Sequence, residues 1–240
     1  TNVGGAFDGF TLPAYKERDA SNRATDRPIS LTDPVQELPV DQFEFGQMGG
    51  LKFAEGTTFS VPRRPVYEVV ETREEYVKYR LVTSSGVVIE REYEFILGEQ
   101  REKFMVEMAV TVSNRSGSPQ THQLEIAAAL EASDAMKQGG GFLSSFAPPP
   151  DHLEAVCHNA GSIDRENINS LDEGEVVRFE NDVRWVGVDR QYFLGAIVAR
   201  DQSRSQAACA LERKGETARA SMTLPPVMLE PGASHRHMFS

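Results

Sequence analysis

A strict alternation of apolar and polar side chains in the middle of the chain limits what it can fold into. From residue 87 to residue 97, the odd positions read Val-Ile-Arg-Tyr-Phe-Leu and the even positions read Val-Glu-Glu-Glu-Ile. Successive side chains of a β-strand point to opposite faces, so this pattern predicts a strand with one buried and one hydrated face. The side chains expected to face the core are Val87, Ile89, Arg91, Tyr93, Phe95 and Leu97.

The same period recurs on both sides of this segment. Residues 76–82, 104–113 and 123–130 also alternate, and turn-forming sequences at 83–86 and 114–119 separate the runs. This arrangement predicts successive antiparallel hairpins. Further strands are predicted at 176–179, 183–188, 192–198, 207–211, 218–223 and 228–239, the last interrupted at Pro231 and Gly232. Many strands without alternating helices are typical of an all-β sandwich, here a single domain over 1–240 with one or two short helices near 34–38 and 134–138.

The charge balance and the length of the apolar runs exclude several classes of protein. The chain has 36 acidic and 25 basic side chains and a net charge of −11, which disfavours binding to the phosphate backbone of nucleic acids. Its longest apolar stretches are strand-sized, well short of the roughly 20 residues that cross a bilayer. Both ends look cut, so we expect a domain excised from a longer protein. The two cysteines, Cys157 and Cys209, form no disulfide framework, and whether they pair is open.

One segment interrupts the strand pattern. Three glycines at 139–141 and three prolines at 148–150 surround the apolar residues Phe142, Leu143 and Phe146. A loop of this length in a compact domain is often functional. The preferred interpretation is a surface loop that packs its own aromatic rings, and the alternative is that these three residues form a partner-docking loop.

The candidate chemical sites are each weighed against a structural role. His235 and His237 share one face of a strand, but no nearby side chain supplies a third metal ligand, so a solvated strand face is the preferred interpretation. His122 is expected to line the sandwich without an evident partner. Asp182 and Asp189 flank Trp185 in a layout that could bind or cleave a sugar, whereas the simpler interpretation places Trp185 in the core and the acids in turns. We therefore predict no catalytic residue, cofactor site or metal site.

Four stretches, taken in order, resemble the large periplasmic domain of the YidC family of membrane-protein insertases, of the YidC/Oxa/Alb type. These are the opening Asn-Val-Gly-Gly at 2–5 with its following Tyr15, the hairpins of 76–130, the segment from Arg184 to Ile197, and the turn at Pro231 and Gly232. The family-signature residues, for which we expect a mainly structural role, are Gly4, Gly5, Trp185, Gln191, Tyr192, Phe193, Pro231 and Gly232.

The resemblance implies a β-supersandwich of antiparallel sheets, similar to galactose mutarotases, and a non-catalytic role. It implies location on the periplasmic side of the bacterial inner membrane, in a multi-pass parent whose membrane helices lie outside this chain. The implied partners are nascent membrane proteins and components of the Sec translocon, with the domain assisting insertion and folding like a chaperone. The alternatives are a carbohydrate-binding or aldose-epimerase-like periplasmic domain, and a structural spacer.

Overall fold

The backbone is almost entirely β-strand. The computed structural model describes residues 1–18, 23–32, 39–96, 105–132, 152–180, 182–190, 193–200 and 206–240. The strands, in chain order, are β1 (Thr11–Arg18), β2 (Ala24–Ser30), β3 (Gly50–Phe53), β4 (Glu68–Arg73), β5 (Tyr76–Val82), β6 (Val87–Phe95), β7 (Val106–Asn114), β8 (Gln120–His122), β9 (Leu124–Glu131), β10 (Leu153–Asn159), β11 (Ser162–Asn167), β12 (Val176–Glu180), β13 (Val183–Arg190), β14 (Phe193–Val198), β15 (Ala208–Lys214), β16 (Thr217–Thr223), β17 (Val227–Leu229) and β18 (Ser234–Phe239). One short helix, α1, covers Val40–Phe45. The helices predicted near 34–38 and 134–138 lie outside the described residues.

The first sheet contains the central hairpins, in the order β18-β7-β6-β5-β4 with antiparallel pairing. The alternation predicted for β6 is confirmed, because Val87 and Ile89 are fully buried while Glu90 and Glu92 lie on the other face. On that outer face the ammonium group of Lys78 bridges the two glutamates at 3.2 and 3.1 Å. Phe95 departs from the prediction and is 39% exposed. The alternation of side chains predicts which face of the sheet a residue lies on, but not how deeply the residue is buried. The end of β6 extends beyond the packed layer.

The second and third sheets face each other. The second has the order β12-β15-β16-β9-β3 and the third β11-β10-β13-β14, again antiparallel. Side chains such as Ile126 and Leu211 of the second sheet and Val186 of the third belong to one continuous core, which also includes the buried face of the first sheet. A disulfide between Cys157 of β10 and Cys209 of β15 joins the two sheets, with 6.6 Å between the Cα atoms. The sequence left open whether Cys157 and Cys209 pair, and in the structure they form a disulfide.

A β-bulge near the start of β13 changes which side chains face the core. The pairing of β13 with β10 slips between the His158–Trp185 and Asn159–Val183 pairs. Because the bulge adds one residue, Val183 and Val186 are both buried and Trp185 faces outward, half-buried. The interpretation that Trp185 fills the core is therefore wrong.

Two small ribbons complete the fold, β1 with β2 and β8 with β17. The turns predicted at 83–86 and 114–119 connect β5 to β6 and β7 to β8, and the predicted break at Pro231 and Gly232 separates β17 from β18. The predicted supersandwich is confirmed. Within the described residues, no helix is long and apolar enough to cross a membrane.

Candidate functional site

An apolar groove of about 490 Å³ opens along one side of the molecule. Its walls come from segments that are far apart in sequence, including the N-terminal segment, the loop before β3, the start of β7, strand β14 and the end of β18. Side chains that line it include Phe7, Met48, Met105, Met108, Phe193 and Phe239. Three methionines give this groove a lining that adapts to differently shaped apolar groups, because the unbranched thioether side chain is flexible and polarisable.

The rim of the groove exposes large apolar side chains. Tyr15 is 53% exposed and packs its ring edge-on against Phe193, with 4.9 Å between ring centroids. Leu194, the next residue of β14, is 46% exposed. The floor requires glycine at position 195, because a Cβ there would lie 2.6 Å from the Met48 methyl carbon. The absence of a side chain on Gly195 therefore lets Met48 sit directly against β14.

A buried arginine holds two of the segments that form the groove. Arg91 of β6 is fully buried. Its guanidinium group donates hydrogen bonds to the carbonyl oxygens of Gly4 and Gly49, each at 2.6 Å, and to the Tyr93 hydroxyl at 2.5 Å. Tyr93 in turn donates a hydrogen bond to the carbonyl oxygen of Gly5. A buried charge is costly unless it is hydrogen-bonded, so the hydrogen bonds to these carbonyl oxygens offset the cost of burying the guanidinium group.

Tyr93 connects this arginine to the groove wall. Its ring packs edge-on against Phe7, with 5.1 Å between centroids, and Phe7 lines the groove. Burial raises the pKa of the Tyr93 hydroxyl to about 12, although the nearby Arg91 charge acts in the opposite direction. The hydroxyl therefore stays protonated and remains the donor to Gly5. Arg91 and Tyr93 together fix the segments that carry Phe7 and Met48.

The two N-terminal signature glycines lie against this arginine. Gly4 and Gly5 have φ values of 68° and 60°, a backbone region that L side chains adopt at a cost. A Cβ on Gly5 would lie 3.0 Å from the Arg91 Cδ, and one on Gly4 would lie 2.7 Å from the Phe43 ring. Their positions are consistent with the structural role that we expect for them.

The other signature residues do not form one cluster. Phe193 lines the groove, whereas Trp185 lies on the outer face of the third sheet beside the ring of His158, with 5.9 Å between centroids. Pro231 and Gly232 occupy the turn before β18, where the Gly232 amide donates to the carbonyl oxygen of Asn114 at 2.8 Å. Two signature residues, Gln191 and Tyr192, and the candidate docking loop with Phe142, Leu143 and Phe146 lie outside the described residues.

The residues of the sugar-binding hypothesis are separated and engaged elsewhere. Asp189 accepts a charged hydrogen bond from Arg165 at 2.5 Å, so its carboxylate is paired. Asp182 lies in the turn before β13 with a φ of 50°. Trp185 faces the same outer surface as Asp189, four residues away along the strand. The geometry does not bring the two acids together around the indole ring.

Two other carboxylates do meet, on the second sheet. Glu125 of β9 and Glu212 of β15 both form ion pairs with Arg219 of β16, which is 4% exposed. The loop that follows α1 covers the arginine, since a Cβ on Gly46 would lie 3.0 Å from its Nε. Both carboxylates are engaged by the same buried guanidinium group, and this favours a structural role over acid–base chemistry.

Three histidines converge, which the sequence did not predict. His237 is 1% exposed, so the interpretation of His235 and His237 as a solvated strand face is wrong for His237. His122 is also 1% exposed, and its Nε2 lies 3.0 Å from the Nε2 of His237, so the partner that sequence reasoning missed is a second histidine. Among the described residues, no group of three or more His, Cys, Asp or Glu side chains is arranged to hold a metal ion.

The match to a protein family spans the entire sequence. The family model for the YidC periplasmic domain matches residues 1–240. Comparison with curated protein sequences gives no match.

Solved structures with a similar fold are sugar-epimerase-like proteins. A galactose mutarotase-like protein from Lactobacillus casei ATCC 334 has a TM-score of 0.59 at 10% identity, with 100% of this chain and 94% of that chain covered. A putative aldose 1-epimerase from Escherichia coli K12 has a TM-score of 0.51 at 9% identity, with 89% and 88% covered. A galactose mutarotase-like protein from Clostridium acetobutylicum has a TM-score of 0.51 at 9% identity, with 99% and 92% covered.

At about 10% identity, these structures show a shared fold and nothing about substrate. The family model, in contrast, covers every residue from the N-terminal glycines to the end of β18. The chain belongs to the YidC periplasmic domain family.

Proposed function

We propose that this domain assists the insertion and folding of membrane proteins as a non-catalytic part of a YidC-type insertase in the bacterial inner membrane, in contact with the Sec translocon. The observation that carries the proposal is the match of the whole chain to the family. The aldose-epimerase likeness supports the fold alone, and sugar binding stays an untested alternative.

The apolar groove is the surface through which we propose that the domain contacts its clients. Membrane proteins expose long apolar segments before they are inserted, and such segments differ in sequence from one client to the next. A groove lined by methionines and aromatic rings can accept these varied side chains without a fixed pattern of hydrogen bonds. The net charge of −11 favours segments with basic flanks and disfavours contact with an anionic membrane surface.

Site-specific photo-cross-linking in the full-length insertase tests this proposal. A benzophenone amino acid is placed at Leu194 or Tyr15 on the groove rim, and at Arg236 on the charged outer face of the first sheet as a control. We expect adducts with a nascent membrane protein from the two rim positions and not from Arg236. Equal yields from all three positions would show that the groove has no special role in client contact.

A matched pair of substitutions tests whether the contact matters. Leu194→Asp replaces an exposed apolar side chain on the rim of the groove with a carboxylate, and Ile163→Asp makes the same kind of change on β11, outside the groove. We expect slower insertion of a reporter membrane protein with Leu194→Asp than with Ile163→Asp. If deletion of the whole domain leaves insertion and Sec association unchanged, the domain is a spacer and the proposal fails.

A further inference from the structure

A pair of buried histidines connects two parts of the fold through their side chains. His122 is the last residue of β8, next to β17, and His237 lies on β18. Their Nε2 atoms are 3.0 Å apart, and each residue is 1% exposed. His235, on the same face of β18, has its ring centroid 4.5 Å from that of His237 and 6.2 Å from that of His122. Three imidazole rings therefore lie close together, two of them buried and that of His235 partly exposed.

The hydrogen bond between the two rings depends on their protonation. One Nε2 must carry a proton and the other must offer a lone pair, a condition that two neutral rings meet. If both rings were cationic, two N–H groups would face each other and the bond would be lost. The Nδ1 atom of His122 is buried without a hydrogen-bond partner in the described part of the chain. A proton on that atom would therefore find no acceptor in the native fold.

Among the described residues, the strands that pack against the pair bring no carboxylate to its side of the first sheet. On β18, Arg236 points to the opposite face, where it pairs with Glu92. On β7, Val110 is the neighbour of His237, and the next residue in that row is Arg91 of β6, which is itself cationic. Strands β8 and β17 have no ionisable residue besides His122. On β3, the ring of Phe53 contacts the ring of His122, and the neighbouring Lys52 lies on the other face of that strand.

Burial, with smaller contributions from His237 and then His235, lowers the pKa of His122 to about 3 from its ordinary value of 6.5. The unfolded or opened chain takes up this proton at a higher pH than the native fold does. The stabilisation by a neutral His122 is therefore complete above about pH 6.5 and is lost progressively as the pH falls toward the native value.

The strand that carries His237 also forms part of the groove. Phe239, two residues further on, and Ser240 both line it. Ser240 exchanges two backbone hydrogen bonds with Val198 of β14, at 2.8 and 3.0 Å. A change that loosens β18 therefore changes the groove wall.

We propose that the His122–His237 pair is a proton-sensitive latch, which holds β18 against β8 when both rings are neutral and loosens the groove wall on acidification. The latch itself rests on the buried pair, and its effect on client binding rests on the function proposed for the groove. The pair would let the domain hold clients less tightly when its compartment becomes acidic.

Hydrogen exchange of the β18 amides tests the latch. With the two pKa values above, acidification from about pH 7.5 to about pH 5 should raise the opening equilibrium constant about 30-fold, after correction for intrinsic exchange rates. We expect this loss of protection in the wild-type chain and a much smaller one in His122→Gln. The control, His158→Gln, changes a histidine that stacks on Trp185 outside the pair, and should behave like the wild type. Parallel losses in the wild type and His122→Gln would overturn the proposal.

An NMR titration covers the case in which His122→Gln does not fold, since it uses the wild-type chain. In the closed form of the domain, the imidazole carbon signals of His122 should stay in the neutral form at about pH 5, because only the opened form takes up the proton at this pH. A midpoint near the ordinary value would overturn the latch. Photo-cross-linking from Leu194 at both pH values then tests the link to the groove. Fewer client adducts at about pH 5 support it, whereas unchanged adducts despite a loosened β18 overturn it. An absence of adducts at both pH values refutes the proposed client contact and leaves the latch intact.

Discussion

Reduction of the Cys157–Cys209 disulfide should lower the free energy of unfolding substantially. The bond joins β10 to β15 across the core, and the two cysteines are 0% and 3% exposed. It closes a loop with a sequence separation of 52. The chain-entropy relation gives about 4 kcal/mol for a loop of this length, and measured effects are often smaller because the unfolded chain keeps some structure. We therefore expect a loss of about 2–4 kcal/mol.

Urea denaturation with and without a reductant measures this loss. The matched control is the Cys157→Ala/Cys209→Ala double variant, whose midpoint should not respond to the reductant. Thiol labelling of the unfolded chain establishes that the bond has been reduced. A loss below about 1 kcal/mol in fully reduced wild-type protein would show that packing between the two sheets, and not the cross-link, holds β10 against β15.

Three further predictions use the same urea denaturation assay. Arg91→Met leaves buried backbone carbonyl oxygens and the Tyr93 hydroxyl without a donor, and should cost about 3 kcal/mol or more; an unchanged midpoint would contradict the role given to the arginine. Gly5→Ala forces an L side chain into a positive φ against Arg91 and should cost about 1–2 kcal/mol, so a stabilised variant would argue against this. Phe95→Ala should cost clearly less than Phe239→Ala, for which about 3–5 kcal/mol is expected because that ring is 1% exposed, and equal losses would refute the burial difference.

The central hairpins could be predicted from sequence because their two faces differ in environment. In β6 one face packs against the core and the other carries glutamates paired with Lys78, so the period of two is visible. Strand β10 lacks this contrast, since Val156 on its outer side is as fully buried as Ala155 on its inner side. A strand that is buried on both faces shows no alternation, and β10 was not predicted.

Trp185 shows a second limit of the pattern. A period of two assumes that every residue advances the strand by one step, and a β-bulge breaks this assumption without a reliable sequence signal. The slip opposite His158 and Asn159 buries Val183 and Val186 together and turns Trp185 outward. With an unbroken period of two from Val183, Trp185 would face the core, as the sequence interpretation placed it, so the extra residue accounts for that error.

The groove itself could not be predicted from local patterns, because its walls meet only after the strands have been ordered into sheets. One residue did carry a signal, since Arg91 stands in the middle of an otherwise apolar face. A cation in that position is tolerated only where other segments bring acceptors to it, and here the acceptors are carbonyl oxygens of Gly4 and Gly49.

The buried charge of Arg91 also bears on the histidine pair, because the two lie on the same face of the first sheet. Arg91 and His237 lie in one row of the first sheet, with Val110 between them. The carbonyl oxygens of Gly4 and Gly49 accept hydrogen bonds from this arginine, which is already a buried cation. Protonation of the histidines would add further positive charge to the same face of the sheet. For this reason we expect acid to loosen the first sheet at β18, before the disulfide-linked second and third sheets respond.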